Sequence, residues 1–276
     1  MPELPEVEHI VRALRQSIVG RKILAAELKL PRISPNTSTS IFARKLRGTR
    51  IVDVGRRGKN ILIKFDSARV LMVHLRMTGK FVILSPDQAL LPYSHVIFYL
   101  DNDRRLVYCD MRQFGRMRLA ASSRLSTTPE LRALAPEPLS DEFSIDYLRG
   151  ILSRSRRELK QVLLDQTRIL GLGNIYAAEA LFIARISPFA TASSLSLPRI
   201  ARLHAAIRQT LTEAIESGST LRIDLADAAE SYFGTDERFW RVYEREGEPC
   251  LNCGARIKRV VQAGRSTYLC PRCQRR

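Results

Sequence analysis

The chain of 276 residues carries 45 Lys and Arg against 28 Asp and Glu, a formal excess of +17 at pH 7. Its 45% hydrophobic and 26% charged content is that of a folded chain with one large or two ordinary cores, which excludes disorder, and the basic excess points to a polyanion, nucleic acid first. No run approaches the roughly 18 apolar residues of a membrane span, and Met1-Pro-Glu-Leu-Pro-Glu-Val-Glu8 is acidic where a signal peptide is basic, so a cytoplasmic, membrane-free protein is expected.

In chain order, Val7, Ile10, Val11, Leu14 and Ile18 recur at helical spacing, with Pro2 and Pro5 at the start and Gly20 as the stop. From Arg21 to about Ala120 short runs of Val, Ile, Leu and Phe separated by turn residues predict strands near 22–30, 50–54, 60–65, 69–75, 80–85, 95–101, 104–109 and 115–120. Asp101-Asn-Asp-Arg104 reads as a hairpin turn, and eight strands at this spacing suggest a sandwich or flattened barrel. The Ser-, Thr- and Pro-rich stretch 121–140 reads as a linker. Helical periodicity resumes at 144–153, 156–166, 174–184 and 197–217.

Four of the five cysteines fall in the last 27 residues, as Cys250-x-x-Cys253 and Cys270-x-x-Cys273 with sixteen residues between the pairs. Two such knuckles close a tetrahedral zinc site with no open position, so one structural Zn2+ holding a small β-hairpin is expected. Arg256, Lys258, Arg259 and Arg265 lie between the pairs and would project from it, or simply solubilise a tail. Gly171-Leu-Gly-Asn174 suits either a tight turn before a helix or a phosphate seat at the helix N-terminus. Three clusters in the strand-rich part, Arg56-Arg-Gly-Lys59, His74-Leu-Arg-Met77-Thr-Gly79 and Asp110-Met-Arg112-Gln-Phe114-Gly115-Arg116, place cations near loops, two of them with a bulky apolar side chain. Met77 and Phe114 fit a wedge in nucleic acid or an ordinary core position equally well. Removal of Met1 would leave Pro2 as a secondary amine beside Glu3 and Glu6, partly unprotonated near neutral pH and able to attack a sugar carbon; the same proline also suits a helix start.

Together these motifs, with Gly171-Leu-Gly-Asn174-Ile-Tyr-Ala and the terminal four-cysteine finger, resemble the bacterial formamidopyrimidine-DNA glycosylase family, in the family's order and over essentially the whole chain. The resemblance implies an α+β architecture: an N-terminal helix and eight-stranded β-sandwich over 1–120, a linker over 121–140, a helix–two-turn–helix domain over 141–240 with a lesion-capping loop near 217–240, and a zinc finger over 241–276. It implies a monomeric base-excision enzyme that acts on damaged double-stranded DNA, removes 8-oxoguanine and formamidopyrimidines, and cuts the strand at the abasic site. By the same resemblance Pro2 is the nucleophile, Glu3 the acid/base, Lys59 the β-elimination lysine and Arg265 the δ-elimination and phosphate-gripping arginine. His74, Arg156, Lys160 and Asn174 match or neighbour backbone-contacting positions, while Met77, Arg112 and Phe114 match the trio that fills the space of the flipped base.

The chain departs from the family pattern at Met111, Gln113 and Tyr93, where Pro, a basic residue and His are common, and in 217–240, where Leu225-Ala-Asp-Ala-Ala-Glu230 lacks the usual glycine and could be helical. The alternatives are an oxidised-pyrimidine glycosylase of the endonuclease VIII type, against which Leu4 argues because that branch commonly has Gly there, and a catalytically inactive DNA-binding relative, against which Pro2, Glu3 and Lys59 argue.

Overall fold

The computed structural model describes residues 1–217, 225–226 and 240–275. The expectations for 217–240 fall, apart from Ser217, Leu225, Ala226 and Trp240, outside the described residues. The architecture is α+β, with a helix, two antiparallel four-stranded sheets, further helices and a terminal two-stranded hairpin. Two compact units are distinguished: Met1–Arg132 with Thr220–Thr235, and Ala133–Ser219 with Asp236–Arg276. Among the described residues no helix is long and apolar enough to cross a membrane.

In the first unit, α1 (Leu4–Ile18) buries Leu4, Val7, Ile10, Val11, Leu14 and Ile18, the stripe that the helical spacing dictates. Each such side chain contributes about 1.5–3 kcal/mol on leaving water. The helix is tied to the sheet through polar groups too, by the Glu8–Arg56 ion pair at 2.8 Å and by Arg15, whose Nη2 donates to the Val54 carbonyl at 2.6 Å. This packing fixes the helix start, and with it Pro2 and Glu3. One sheet runs β1 (Ile23–Leu28), β6 (Ser94–Leu100), β7 (Arg105–Asp110), β5 (Gly79–Leu84); the other runs β2 (Ile51–Arg57), β3 (Asn60–Phe65), β4 (Arg69–His74), β8 (Arg116–Ala121). Their inward residues, Phe81, Phe98 and Tyr108 among them, share one core with α1. Leu225 belongs to it as well: its side chain is 4% exposed and its carbonyl accepts the Ile83 N–H of edge strand β5 at 2.6 Å.

All eight strands lie within a few residues of the predicted positions, whereas α2 (Thr39–Leu46) falls inside the stretch expected to be all strands and turns. It follows the polar run Ser34–Ser38, starts on the Ser38 hydroxyl, which accepts the Ile41 N–H, and buries only Phe42 and Leu46. So short an apolar stripe hardly differs from the neighbouring strands in pattern.

The second unit holds α3 (Ile145–Ser153), α4 (Leu159–Leu163), α5 (Asn174–Ile183) and α6 (Leu197–Glu216), followed by β9 (Lys258–Gln262) and β10 (Arg265–Leu269). The helix expected over 156–166 is only α4. Residues 155–158 are drawn into extended pairing instead: Ser193 N–H donates to Ser155 O, Ala192 N–H donates to Arg157 O, and Glu158 bridges Thr191. Helix α5 is nearly all apolar apart from Glu179, which is fully buried and accepts the backbone N–H groups of Arg241, Val242 and Tyr243 at 2.9, 2.9 and 3.0 Å. That anchors the chain as it approaches the finger.

Candidate active site and nucleic-acid interface

Pro2, Glu3, Glu6 and Lys59 are all buried in the first unit, an unusual density of polar groups for so little solvent. Glu6 occupies the third position of α1, and its carboxylate accepts the Glu3 N–H at 2.8 Å, closing the helix start as a capping residue does. Lys59 arrives from β2–β3, where the register Arg57↔Asn60 leaves a two-residue turn of Gly58 and Lys59. Gly58 has φ +56°, the left-handed value that such a turn requires at its first central position, so the glycine before the lysine is a geometric need. Burial is the main influence on the terminal amine and lowers its pKa below the ordinary α-amino value; Glu3 and Glu6 oppose this, and Lys59 and Arg112 add to it. Carboxylates, lysine and arginine therefore act on one amine. That amine belongs to Met1, one residue ahead of the Pro2 nitrogen that processing would free.

Arg112, Met77 and Phe114 are exposed on two loops of the same unit, Met77 at 39% and Phe114 at 51%. Neither apolar side chain is a core residue. The Arg112 guanidinium lies 4.8 Å over the Phe114 ring, a cation–π contact that joins the two. His74 ends β4, and its Nδ1 accepts the Arg76 N–H at 3.1 Å, leaving the ring proton on Nε2 as a donor. Burial, then the nearby Arg76 and Lys59 charges, pulls the His74 pKa down to about 3. Between that value and the ~6.5 of an unfolded histidine, the unfolded chain binds the extra proton, so this contribution to stability is complete above pH 6.5 and is lost as pH falls towards 3. H74Q should therefore flatten the acid limb: between pH 6 and 4, wild type is expected to lose up to about 1 kcal/mol more per pH unit than the variant in denaturant unfolding. Parallel curves would reject this.

In the second unit β9 and β10 form the expected hairpin, with Ala263-Gly264 as its turn and exposed Arg265 just beyond it. Lys160, only 2% exposed, sits at the centre of a polar network under that turn. Its Nζ donates to Ser266 O at 2.9 Å and to Thr267 Oγ1 at 2.8 Å, while Thr267 Oγ1 donates to Gln262 Oε1 at 3.1 Å. Gln262 Nε2 donates in turn to Glu158 Oε2 at 2.8 Å and Pro188 O at 3.1 Å. Asn174 is the first residue of α5, with Gly173 rather than Asn174 in the capping position; its Nδ2 donates to the same Ser266 carbonyl at 2.9 Å. Lys160 and Asn174 thus grip the backbone next to Arg265. Arg156 is exposed on the extended segment before α4. A cleft of about 250 Å3, lined by Arg157, Lys160, Gln161, Gln262 and Arg265 among others, opens between α4 and the hairpin turn.

Gln262, Thr267 and Glu179 escaped the sequence reading. Only Glu179 carries a signal there, as the lone charged residue in Asn174–Ile183.

The Sγ atoms of Cys250, Cys253, Cys270 and Cys273 all lie within 4.8 Å of one another, with Cys250–Cys273 at 3.9 Å and Cys253–Cys270 at 3.5 Å. A tetrahedron of Zn–S bonds near 2.3 Å has sulfur–sulfur edges of about 3.8 Å, while a disulfide needs about 2.05 Å. The cluster fits a zinc ion.

Comparison with known proteins agrees along the chain. Residues 1–117 match the formamidopyrimidine-DNA glycosylase N-terminal domain, 134–224 the formamidopyrimidine-DNA glycosylase H2TH domain, and 247–276 the zinc finger found in FPG and IleRS. The formamidopyrimidine-DNA glycosylase of Heliobacterium modesticaldum is 42% identical over 278 residues, covering 100% of both chains. Among solved structures, the wild-type Lactococcus lactis Fpg in complex with DNA containing a benzylated Fapy-dG is similar at a TM-score of 0.91 and 34% identity, covering 100% of both chains. The L. lactis enzyme non-covalently bound to DNA with an AP site gives 0.89 and 33%, covering 99% of this chain and 100% of that one. With domain matches over most of its length and a full-length relative at this identity, the chain belongs to the formamidopyrimidine-DNA glycosylase family, DNA glycosylases of base excision repair with abasic-site lyase activity.

Proposed function

We propose that this protein excises oxidised purines, 8-oxoguanine and formamidopyrimidines, from duplex DNA and then cuts the strand by β,δ-elimination, working as a monomer. The observation that carries the reading is the terminal amine of lowered basicity held among Glu3, Glu6 and Lys59. Once Met1 is removed, the Pro2 lone pair attacks C1′ of the damaged nucleotide, the glycosidic bonding pair leaves with the base, which takes up a proton, and the Pro2 nitrogen gives up its own proton. Glu3 delivers a proton to the sugar ring oxygen as the ring opens, leaving an iminium between Pro2 and C1′. The iminium acidifies the C2′ proton. Loss of that proton, with Lys59 assisting, expels the 3′ phosphate; a second elimination, with Arg265 at the phosphate, expels the 5′ phosphate, and water then frees Pro2.

Met77, Arg112 and Phe114 would occupy the space of the extruded nucleotide, offsetting part of the few kcal/mol that flipping costs. His74, Arg156 and Asn174 would meet phosphates. For Lys160 the burial favours a supporting role beneath Arg265 over direct phosphate contact. One Zn2+ on the four cysteines would stabilise the finger that presents Arg265 and would take no part in the chemistry.

Side-by-side excision from duplexes with 8-oxoguanine opposite cytosine and thymine glycol opposite adenine tests the substrate class. The purine lesion should be removed at least about tenfold faster, a preference worth ~1.4 kcal/mol in the barrier. Preference for the pyrimidine would transfer the protein to the endonuclease VIII type, and no cleavage of either would favour a DNA-binding relative without catalysis.

A further inference from the structure

Met77 on one side and Arg112 with Phe114 on the other stand on separate loops, the first between β4 and β5 and the second between β7 and β8. Exposed side chains on two separate loops can keep a fixed spacing only if something beneath joins the loops. Asp110 lies there, 1% exposed at the end of β7. Its Oδ1 accepts the Thr78 hydroxyl at 2.5 Å, and Thr78 is the residue after Met77. Its Oδ2 accepts the Gly115 N–H at 2.7 Å and the Tyr108 hydroxyl at 3.4 Å, and Gly115 is the residue after Phe114. The Thr78 oxygen, having given its proton to Asp110, accepts the Arg112 N–H at 3.0 Å.

One carboxylate and one hydroxyl thus hold the backbone beside all three protruding side chains. The packing around them leaves no slack. A Cβ added at Gly115 or at Gly79 would overlap the Tyr108 hydroxyl oxygen, so both loops close directly onto that ring. Tyr108 is fully buried. The backbone of Asp110 is engaged as well: its N–H donates to Tyr93 O at 3.1 Å, and its carbonyl accepts from Gln113 N–H at 3.2 Å and faces His95 Nε2 at 3.0 Å. From the outer side the Arg32 guanidinium donates to the Gln113 side chain, at a residue with φ +56°.

We propose that Asp110 and Thr78 are positioning residues that lock Met77, Arg112 and Phe114 into one rigid probe, so that discrimination of the base opposite a lesion depends on the Thr78 hydroxyl. This rests on the reading of the three side chains as the probe of the duplex. Two separately mobile loops would tolerate a wrong partner by adjusting one at a time. A joined pair must accept or refuse the duplex as a whole, which converts a small misfit under Arg112 into a misplacement of Met77 and Phe114.

T78V keeps the side-chain shape while deleting the donor to Asp110 and the acceptor for Arg112. Single-turnover excision of 8-oxoguanine opposite cytosine and opposite adenine would be measured for wild type, T78V and T78S. The ratio of the two rates should fall about fivefold or more in T78V and return to within about twofold of wild type in T78S. A wild-type ratio in folded T78V, or a T78S ratio as low as that of T78V, overturns the proposal. Should T78V not fold, amide hydrogen exchange of the unaltered protein decides: the Arg112 and Gly115 amides should exchange as slowly as those of β7, and exchange at the rate of exposed loops overturns the lock. Failure of wild type to excise from either duplex would instead sink the reading of the function.

Discussion

Protein processed to a free Pro2 terminus is expected to form a borohydride-trapped adduct with abasic-site duplex, and protein that retains Met1 is expected to form it more than about 10³-fold more slowly. With Met1 in place the Pro2 nitrogen is an amide, its lone pair delocalised into the carbonyl and its valences filled. The Met1 amine that replaces it is displaced by one residue, roughly 3–4 Å along the chain, which takes it out of attack distance from a carbon positioned for Pro2. Pro2 itself is buried, as are Glu3, Glu6 and Lys59. Burial lowers the basicity of the Met1 amine, and a Pro2 amine freed into the same surroundings is expected to stay neutral to lower pH than an ordinary α-amine near 8. The rate of trapping by the processed protein should accordingly rise with pH and level off below pH 8. Equal adduct yield from the Met1-retaining protein, with the termini verified by mass, would reject Pro2 as the nucleophile.

Withdrawal of zinc is expected to weaken duplex binding by about tenfold or more and to lower the temperature of the first thermal transition. Without a cation the thiols pull on one another unequally: burial and the neighbouring sulfurs push Cys273 up to about 12, while the Ala255 backbone N–H lowers Cys253 to about 7. A dication would reverse that balance, since a metal-bound thiol is deprotonated outright. The loss should be local. Lys160, Thr267, Gln262 and Asn174 hold the Arg265 turn from the helical side, independently of the knuckles, so the hairpin is gripped at two ends. Chelated protein should therefore keep its helical signal while losing affinity, and K160M with zinc bound should show a shift in products towards β-elimination alone. Unchanged DNA affinity in protein shown by metal analysis to be zinc-free would reject the proposed role of the finger.

The strand positions were legible in the sequence because each strand is a short apolar run bounded by turn residues, and β2–β3 even displays its turn as Gly58-Lys59. Helix α2 was not, since Phe42 and Leu46 are its only buried residues. The first turn of the helix expected from 156 was lost to pairing with residues 191–193, a partner more than thirty positions away that no local pattern announces. The cysteine cluster was readable from spacing alone, because two knuckles have few other ways to arrange four sulfurs. Met77 and Phe114 were not decidable: an apolar side chain one or two positions before a glycine is the same letter in a core and on a protruding loop, and only their exposure separates the two. The burial of Lys160 and its donation to an internal carbonyl and hydroxyl were likewise not legible, since a lysine in a basic chain reads the same letter on a surface and in a polar network.

Leu225 sets a rule for how this protein can be cut and recombined. The first compact unit is discontinuous, Met1–Arg132 completed by Thr220–Thr235, and Leu225 lies in its core with its carbonyl on the Ile83 amide. A fragment ending at Arg132 would leave a leucine-sized void and an unpartnered edge amide, a defect on the order of 2–5 kcal/mol by the usual cost of removing a buried leucine. A chimera that exchanges the sandwich between two relatives must therefore carry the downstream segment with it, so the inheritable module is two stretches of gene and not one.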